Sequence, residues 1–182
     1  MTSVPDFRYH PDPVATGSAE VSEDTCELCG EQTGFRSRGP IYGVQLKEIC
    51  LGCIADGTAA DRLVTPNGPT EFTDVGWGVP DGIPDAVLKE ISQRTPGHYS
   101  WQQDHWLYHC GDGAAYLGRV GWEQLRHDPG ALRALQSEAS EVGLDDSAAM
   151  GWISRLSVDG DMTAYLIECL HCGLHLAYSD AN

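Results

Sequence analysis

Four cysteines in two close pairs constrain this chain more than any other feature. Cys26-Glu27-Leu28-Cys29 is followed, after twenty intervening residues that begin with Gly30, by Cys50-Leu51-Gly52-Cys53. Each CxxC turns tightly enough to aim both sulfurs at one point, and two such pairs can close tetrahedrally on one metal ion. The spacing is zinc-ribbon-like and predicts a zinc site built from Cys26, Cys29, Cys50 and Cys53. Four thiolates leave the ion no open position for water or substrate, so the expected role is structural. A module this small buries too little apolar surface to fold unaided. Metal binding, worth about 10 kcal/mol or more in zinc-finger peptides, would supply most of its folding energy.

The remaining thiols fit the same chemistry. Seven cysteines, six of them in CxxC pairs, suit reduced metal-binding thiols better than a secreted disulfide framework. The first residues, with Asp6, Asp12 and several prolines, lack the basic and apolar regions of a signal peptide, and no run reaches the length of a membrane span. A cytoplasmic protein is expected. The 27 acidic and 11 basic side chains give a formal charge of −16, which repels phosphate. Even the cysteine segment sets Glu23, Asp24, Glu27, Glu31 and Glu48 against Arg36, Arg38 and Lys47. Nucleic acid is therefore disfavoured as a partner, and an unidentified protein is expected instead.

At 182 residues, 41% of them hydrophobic, the chain can form one packed domain beside a small metal-stapled module. The expected class is α+β. Residues 1–66 form an extended N-terminal segment plus the four-cysteine module, and residues 67–182 an α+β domain that ends in a β-hairpin with a CxxCG turn. Pro5, Pro11 and Pro13 exclude helix interiors early on, and Phe7 and Tyr9 alternate as on a half-buried strand. His10, between Tyr9 and Pro11, reads as a structural histidine in preference to a ligand. The Pro- and Gly-rich stretch from Thr65 to Pro84 reads as loop. A helix is predicted from Pro84, with Val87, Leu88 and Ile91 on one face, ending near Thr95-Pro96-Gly97. Further helices follow Trp122, Asp128 and Asp145 or Asp146, the last carrying Met150, Trp152 and Ile153. Two strands then flank Cys169-Leu170-His171-Cys172-Gly173.

The third CxxC admits three chemistries. A glycine and a strand follow it where a thioredoxin-like motif would start a helix, which favours a knuckle-like turn whose sulfurs can bind metal. Cys169 and Cys172 can then form a second metal site with Cys110, His109 or His175, remain reduced thiols without metal, or act as a redox pair. The catalytic alternative is a hydrolase or thiol enzyme with its site around His105, His109, Cys110 and Asp112, within the stretch Trp101–Asp112 where aromatic, imidazole, thiol and carboxylate groups concentrate. No complete catalytic motif is present, so a non-enzymatic protein is the leading expectation.

Several of these segments together resemble a known family. Phe7, Tyr9-His10-Pro11-Asp12-Pro13 with Thr16-Gly17, the paired cysteines ending Cys53-Ile54-Ala55-Asp56-Gly57, and Arg94-Thr95-Pro96-Gly97 are similar to the CbrC-like family, described as colicin-tolerance proteins. Trp101-Gln102, Trp106, His109-Cys110 with Asp112, and Cys169-Leu170-His171-Cys172-Gly173 extend the match over nearly the whole chain. The resemblance implies a cytoplasmic bacterial protein of unestablished molecular activity, loosely linked to colicin tolerance, and it names no substrate. It also implies a further cysteine shortly after Asp112 in many relatives, where this chain has Gly113-Ala114-Ala115.

Overall fold

Prolines and glycines keep the elements of the first half short. The computed structural model describes residues 3–102 and 104–182, so Gln103 of the chemically loaded stretch lies outside the described residues. Strand β1 (Ala19–Val21) pairs antiparallel with β2 (Phe35–Ser37). Two short helices follow, α1 (Leu51–Ala55) and α2 (Thr58–Arg62). The Pro- and Gly-rich stretch holds a minimal antiparallel pair, β3 (Val64–Thr65) and β4 (Gly68–Pro69). Helix α3 (Asp85–Arg94) starts one residue later than predicted, because Pro84 is extended (φ −65°, ψ 140°) and serves as its N-cap. The helix stops at Thr95, also extended, since Pro96 disfavours helical geometry in the residue before it.

The second half builds a sheet covered by helices. A hairpin of β5 (Tyr108–His109) and β6 (Asp112–Gly113) leads into β7 (Ala115–Val120). Helices α4 (Trp122–Leu125), α5 (Pro129–Glu141) and α6 (Asp146–Ile153) intervene before β8 (Met162–Glu168) and β9 (His175–Ala181). The antiparallel order is β7-β8-β9, with β8 in the centre. Asp128 accepts the Gly130 and Ala131 N–H groups at the start of α5, and Asp145 accepts Ala148 N–H at the start of α6; each satisfies donors that a helix end leaves orphaned.

Three buried clusters hold these elements together. The first gathers Phe7, Ile49, Leu51, Ile54 and Phe72 around the cysteine pairs. The second is aromatic, with Tyr9, Trp106, Tyr116, Tyr165 and Tyr178, and the third sets Leu125, Leu135 and Ile153 against the sheet. Phe7 and Tyr9 are both buried, yet they enter different clusters. Their segment has no strand ladder, although the Tyr9 carbonyl accepts the Tyr116 N–H at 2.8 Å. Gly97 marks a close backbone crossing: a Cβ there would lie 1.7 Å from the Phe72 carbonyl oxygen. No helix among the described residues is long and apolar enough to cross a membrane.

Two histidines sit inside this packing. His10 is fully buried, with Nδ1 2.7 Å from the Pro96 carbonyl and Nε2 2.7 Å from the Thr16 hydroxyl. A carbonyl only accepts, so Nδ1 carries the proton and the neutral ring accepts from Thr16 through Nε2. His98 stacks on Tyr116 at 4.0 Å between ring centroids, and its Nε2 lies 2.8 Å from the Tyr178 hydroxyl. Burial lowers His10 from 6.5 to about 4 and His98 to about 3. The unfolded chain takes up these protons as pH falls below about 6.5 while the folded chain does not, so stability is full above that pH and is lost on acidification toward 4. For His10 alone the loss is about 3 kcal/mol. The urea midpoint should fall steeply across this window and fall less in a His10→Gln variant; a midpoint unchanged between about pH 7 and about pH 4.5 would contradict the assignment.

Candidate metal centres

The sulfurs of Cys26, Cys29, Cys50 and Cys53 all lie within 4.8 Å of one another. Cys26 and Cys53 are 3.9 Å apart, as are Cys29 and Cys50. A zinc ion with Zn–S bonds of about 2.3 Å in a tetrahedron sets its sulfurs about 3.8 Å apart, whereas a disulfide needs about 2.05 Å. All seven cysteines are free thiols. The first pair sits on a tight turn between β1 and β2: Cys26 N–H donates to the Glu31 carbonyl at 3.0 Å, and Gly30 N–H returns to the Cys26 carbonyl at 2.9 Å. Gly30 has φ of 76°, which a side chain would strain.

The second pair departs from a ribbon of two matching turns. Cys50 is the N-cap of α1, and its sulfur accepts the Cys53 N–H at 3.4 Å, so both thiols project from the first helical turn. Leu51 and Ile54 bury one face of that turn, and no glycine follows Cys53 to reverse the chain. Burial pushes the Cys26 thiol up, but N–H groups of Cys29, Cys50 and Leu28 outweigh it and leave the thiol at about 7. Burial holds Cys50 and Cys53 above the usual thiol range. Four such sulfurs can all be thiolates only beside a cation, which is what a bound metal supplies.

A second group, His109, Cys110, Cys169 and Cys172, also has ligand atoms within 4.8 Å of one another. Cys110 and Cys172 sulfurs are 3.9 Å apart, and His109 Nδ1 is 3.2 Å from the first and 3.5 Å from the second. With Zn–N near 2.05 Å, a tetrahedral site puts nitrogen and sulfur about 3.6 Å apart. Sheet register creates this meeting. Ala115, the first residue of β7, pairs with Glu168, the residue before Cys169. The β5–β6 turn just upstream of β7 is thereby carried to the β8–β9 turn. Cys110 and Gly111 form that two-residue turn with φ of 53° and 73°, the left-handed pair that a tight hairpin requires.

The β8–β9 turn repeats the backbone of the Cys26 turn. Cys169 N–H donates to the Leu174 carbonyl at 2.9 Å, Gly173 N–H returns to the Cys169 carbonyl at 2.9 Å, and Gly173 has φ of 68°. Burial raises the Cys169 thiol, but N–H groups of His171 and Cys172 overcome it and bring the thiol to about 6. Burial, then the neighbouring thiols of Cys169 and Cys172, push Cys110 up to about 11.

Other expected site residues lie elsewhere. His175 pairs with Asp128 at the start of α5 and is not among the second cluster's ligands, because its place on β9 directs it toward that helix. His105 packs on the Tyr178 ring at 3.8 Å between centroids and is not among the residues of the second cluster. Asp112 does not serve His109. Its carboxylate accepts from Arg8 at 2.6 Å, Tyr9 at 2.7 Å and His171 at 2.8 Å. Burial raises Asp112, yet these donors leave it below the usual carboxylate range. Sequence reasoning missed the role of His171, which lies between Cys169 and Cys172 and ties their turn to β6. Its position inside the CxxC was the available signal.

Comparison with known proteins is uniform. The pattern of the uncharacterised protein family UPF0167 matches residues 4–181, and the chain belongs to that family. UPF0167 proteins of Mycobacterium bovis and Mycobacterium tuberculosis are each 45% identical over 179 residues, covering 97% of this chain and 93% of their own length. A UPF0167 protein of Pseudomonas aeruginosa is 34% identical over 178 residues, covering 93% of each chain. None of these names mentions CbrC or colicin tolerance. No solved structure gives a significant match.

Proposed function

We propose that this chain is a zinc protein with two ions, one at Cys26, Cys29, Cys50 and Cys53 and one at His109, Cys110, Cys169 and Cys172, and that it acts by binding a protein partner. The observation that carries the reading is the sulfur and nitrogen spacing in both clusters, which matches tetrahedral zinc and is too long for disulfides. The first ion staples residues 1–66 and the second residues 67–182, while Phe72 and Tyr9 pack across that division. The first site is a ribbon-like staple in function, built from one knuckle and one helical turn. Both shells are closed, so neither ion has a catalytic position. The thiol-enzyme alternative loses support because Asp112 is committed to His171, Tyr9 and Arg8. The CbrC-like resemblance adds a link to colicin tolerance, and a reducing cytoplasm would keep the cysteines available for metal.

Cobalt substitution tests the reading. Protein stripped of zinc and titrated with Co(II) should take up two equivalents with the visible bands of tetrahedral thiolate coordination. His109→Ala should alter the bands of one equivalent only. A pale octahedral spectrum at either equivalent would contradict the proposed ligand set.

A further inference from the structure

A cleft of about 830 Å³ opens between helix α5, strand β9 and the loops that carry Trp77 and His105. Its volume falls within the range of small-molecule sites, about 300–1,000 Å³. Four rings line it: Trp77, His105, Tyr108 and Tyr178. Trp77 is 72% exposed, so its indole face is available from the cleft. Tyr178 is held from behind by His98 at 2.8 Å and by stacking on Tyr165 at 4.7 Å.

The same walls carry four carboxylates, Asp104, Glu138, Glu141 and Asp180, and no lysine or arginine. Neutral donors fix three of them. Glu138 accepts the Ser179 N–H and hydroxyl at 3.1 Å, Asp180 accepts the Gln102 N–H at 2.9 Å, and Asp104 accepts the Tyr42 and Thr73 hydroxyls. None of the four pairs with a lysine or arginine among the described residues. Burial raises Asp104 and Glu138, and for Glu138 the nearby Glu141 and Asp180 add to the rise. Uncompensated negative charge beside aromatic faces is the chemistry that receives a cation with an apolar body.

We propose that this cleft binds a small organic ammonium ion, its charge facing Glu138, Glu141 and Asp180 and its alkyl groups lying against the exposed Trp77 indole. The site is independent of both metal clusters, although β5 links them in the chain: Tyr108 lines the cleft and His109 belongs to the second cluster. Ring and charge contributions of this kind place the affinity of a minimal probe in the millimolar range or tighter.

The test uses the whole zinc-loaded chain with choline and its neutral carbon isostere 3,3-dimethylbutan-1-ol, followed by ligand-observed NMR. Choline should bind saturably, and the isostere should bind roughly tenfold more weakly or not at all. Trp77→Ala and Glu141→Gln, both on the exposed rim, should each weaken choline by roughly threefold to tenfold. Trp101→Ala, an exposed tryptophan outside the cleft wall, should leave binding unchanged. Equal binding of the isostere, no saturable choline binding, or choline affinity unaffected by both rim substitutions would overturn the proposal.

Discussion

Replacing Cys53 with serine is expected to unfold the N-terminal module and remove one zinc ion from the chain. Cys53 lies 3.9 Å from Cys26, is buried, and belongs to the cluster formed by Phe7, Ile49, Leu51, Ile54 and Phe72. That cluster surrounds elements of five residues or fewer, β1, β2, α1 and α2, too short to persist without tertiary support. Zinc binding worth about 10 kcal/mol or more is comparable to the whole stability of an ordinary domain, about 5–15 kcal/mol. Loss of the ion should therefore abolish cooperative melting of this region. Circular dichroism melting with zinc analysis of the same sample checks it. A variant that melts within about 2 °C of the parent would show that the module does not depend on the metal.

Replacing Cys172 with serine should have the opposite balance: the second ion is lost and the fold stays. Cys172 is exposed at the turn, while β8 and β9 are joined by a register running from Glu168 and His175 to Met162 and Ala181. Such a ladder, packed beneath α5, persists without its terminal staple. The expected cost to stability is about 1–3 kcal/mol, with zinc content falling by one ion per chain. Asp112→Asn probes the same site from outside the ligand shell. Asp112 holds His171 within the turn at 2.8 Å, and loss of such an orienting partner typically lowers metal affinity about 10–100-fold. Competition with a chromophoric chelator measures both effects. Unchanged metal retention in Cys172→Ser would remove that residue from the site.

The first candidate metal centre is legible because its cysteines declare themselves locally. Cys26-Glu27-Leu28-Cys29 and Cys50-Leu51-Gly52-Cys53 each fix two sulfurs within one turn, and only the closure between the pairs needed the fold. What the spacing did not reveal was the asymmetry of the two halves. That follows from Gly30, which reverses the chain after Cys29, and from Leu51 and Ile54, which bury a helical face after Cys50. The second centre was half legible. Cys169 and Cys172 were visible as a knuckle, and Cys110 and His109 as candidates, but their meeting depends on the pairing of Ala115 with Glu168. Strand register across some fifty residues is set by packing, and no local signal carries it. His175 lies outside the second cluster for a related reason: alternation along β9 decides which side a residue faces, and Asp128 at the start of the neighbouring helix pairs with it. The cleft was hidden altogether, since its walls come from four separated segments.

Native mass spectrometry of the chain, purified without chelator, tests the two-ion account most directly. The account predicts a dominant species carrying two zinc ions, converted to a one-ion species by Cys172→Ser. A chain that holds no zinc, or a single ion that survives Cys172→Ser unchanged, would contradict it.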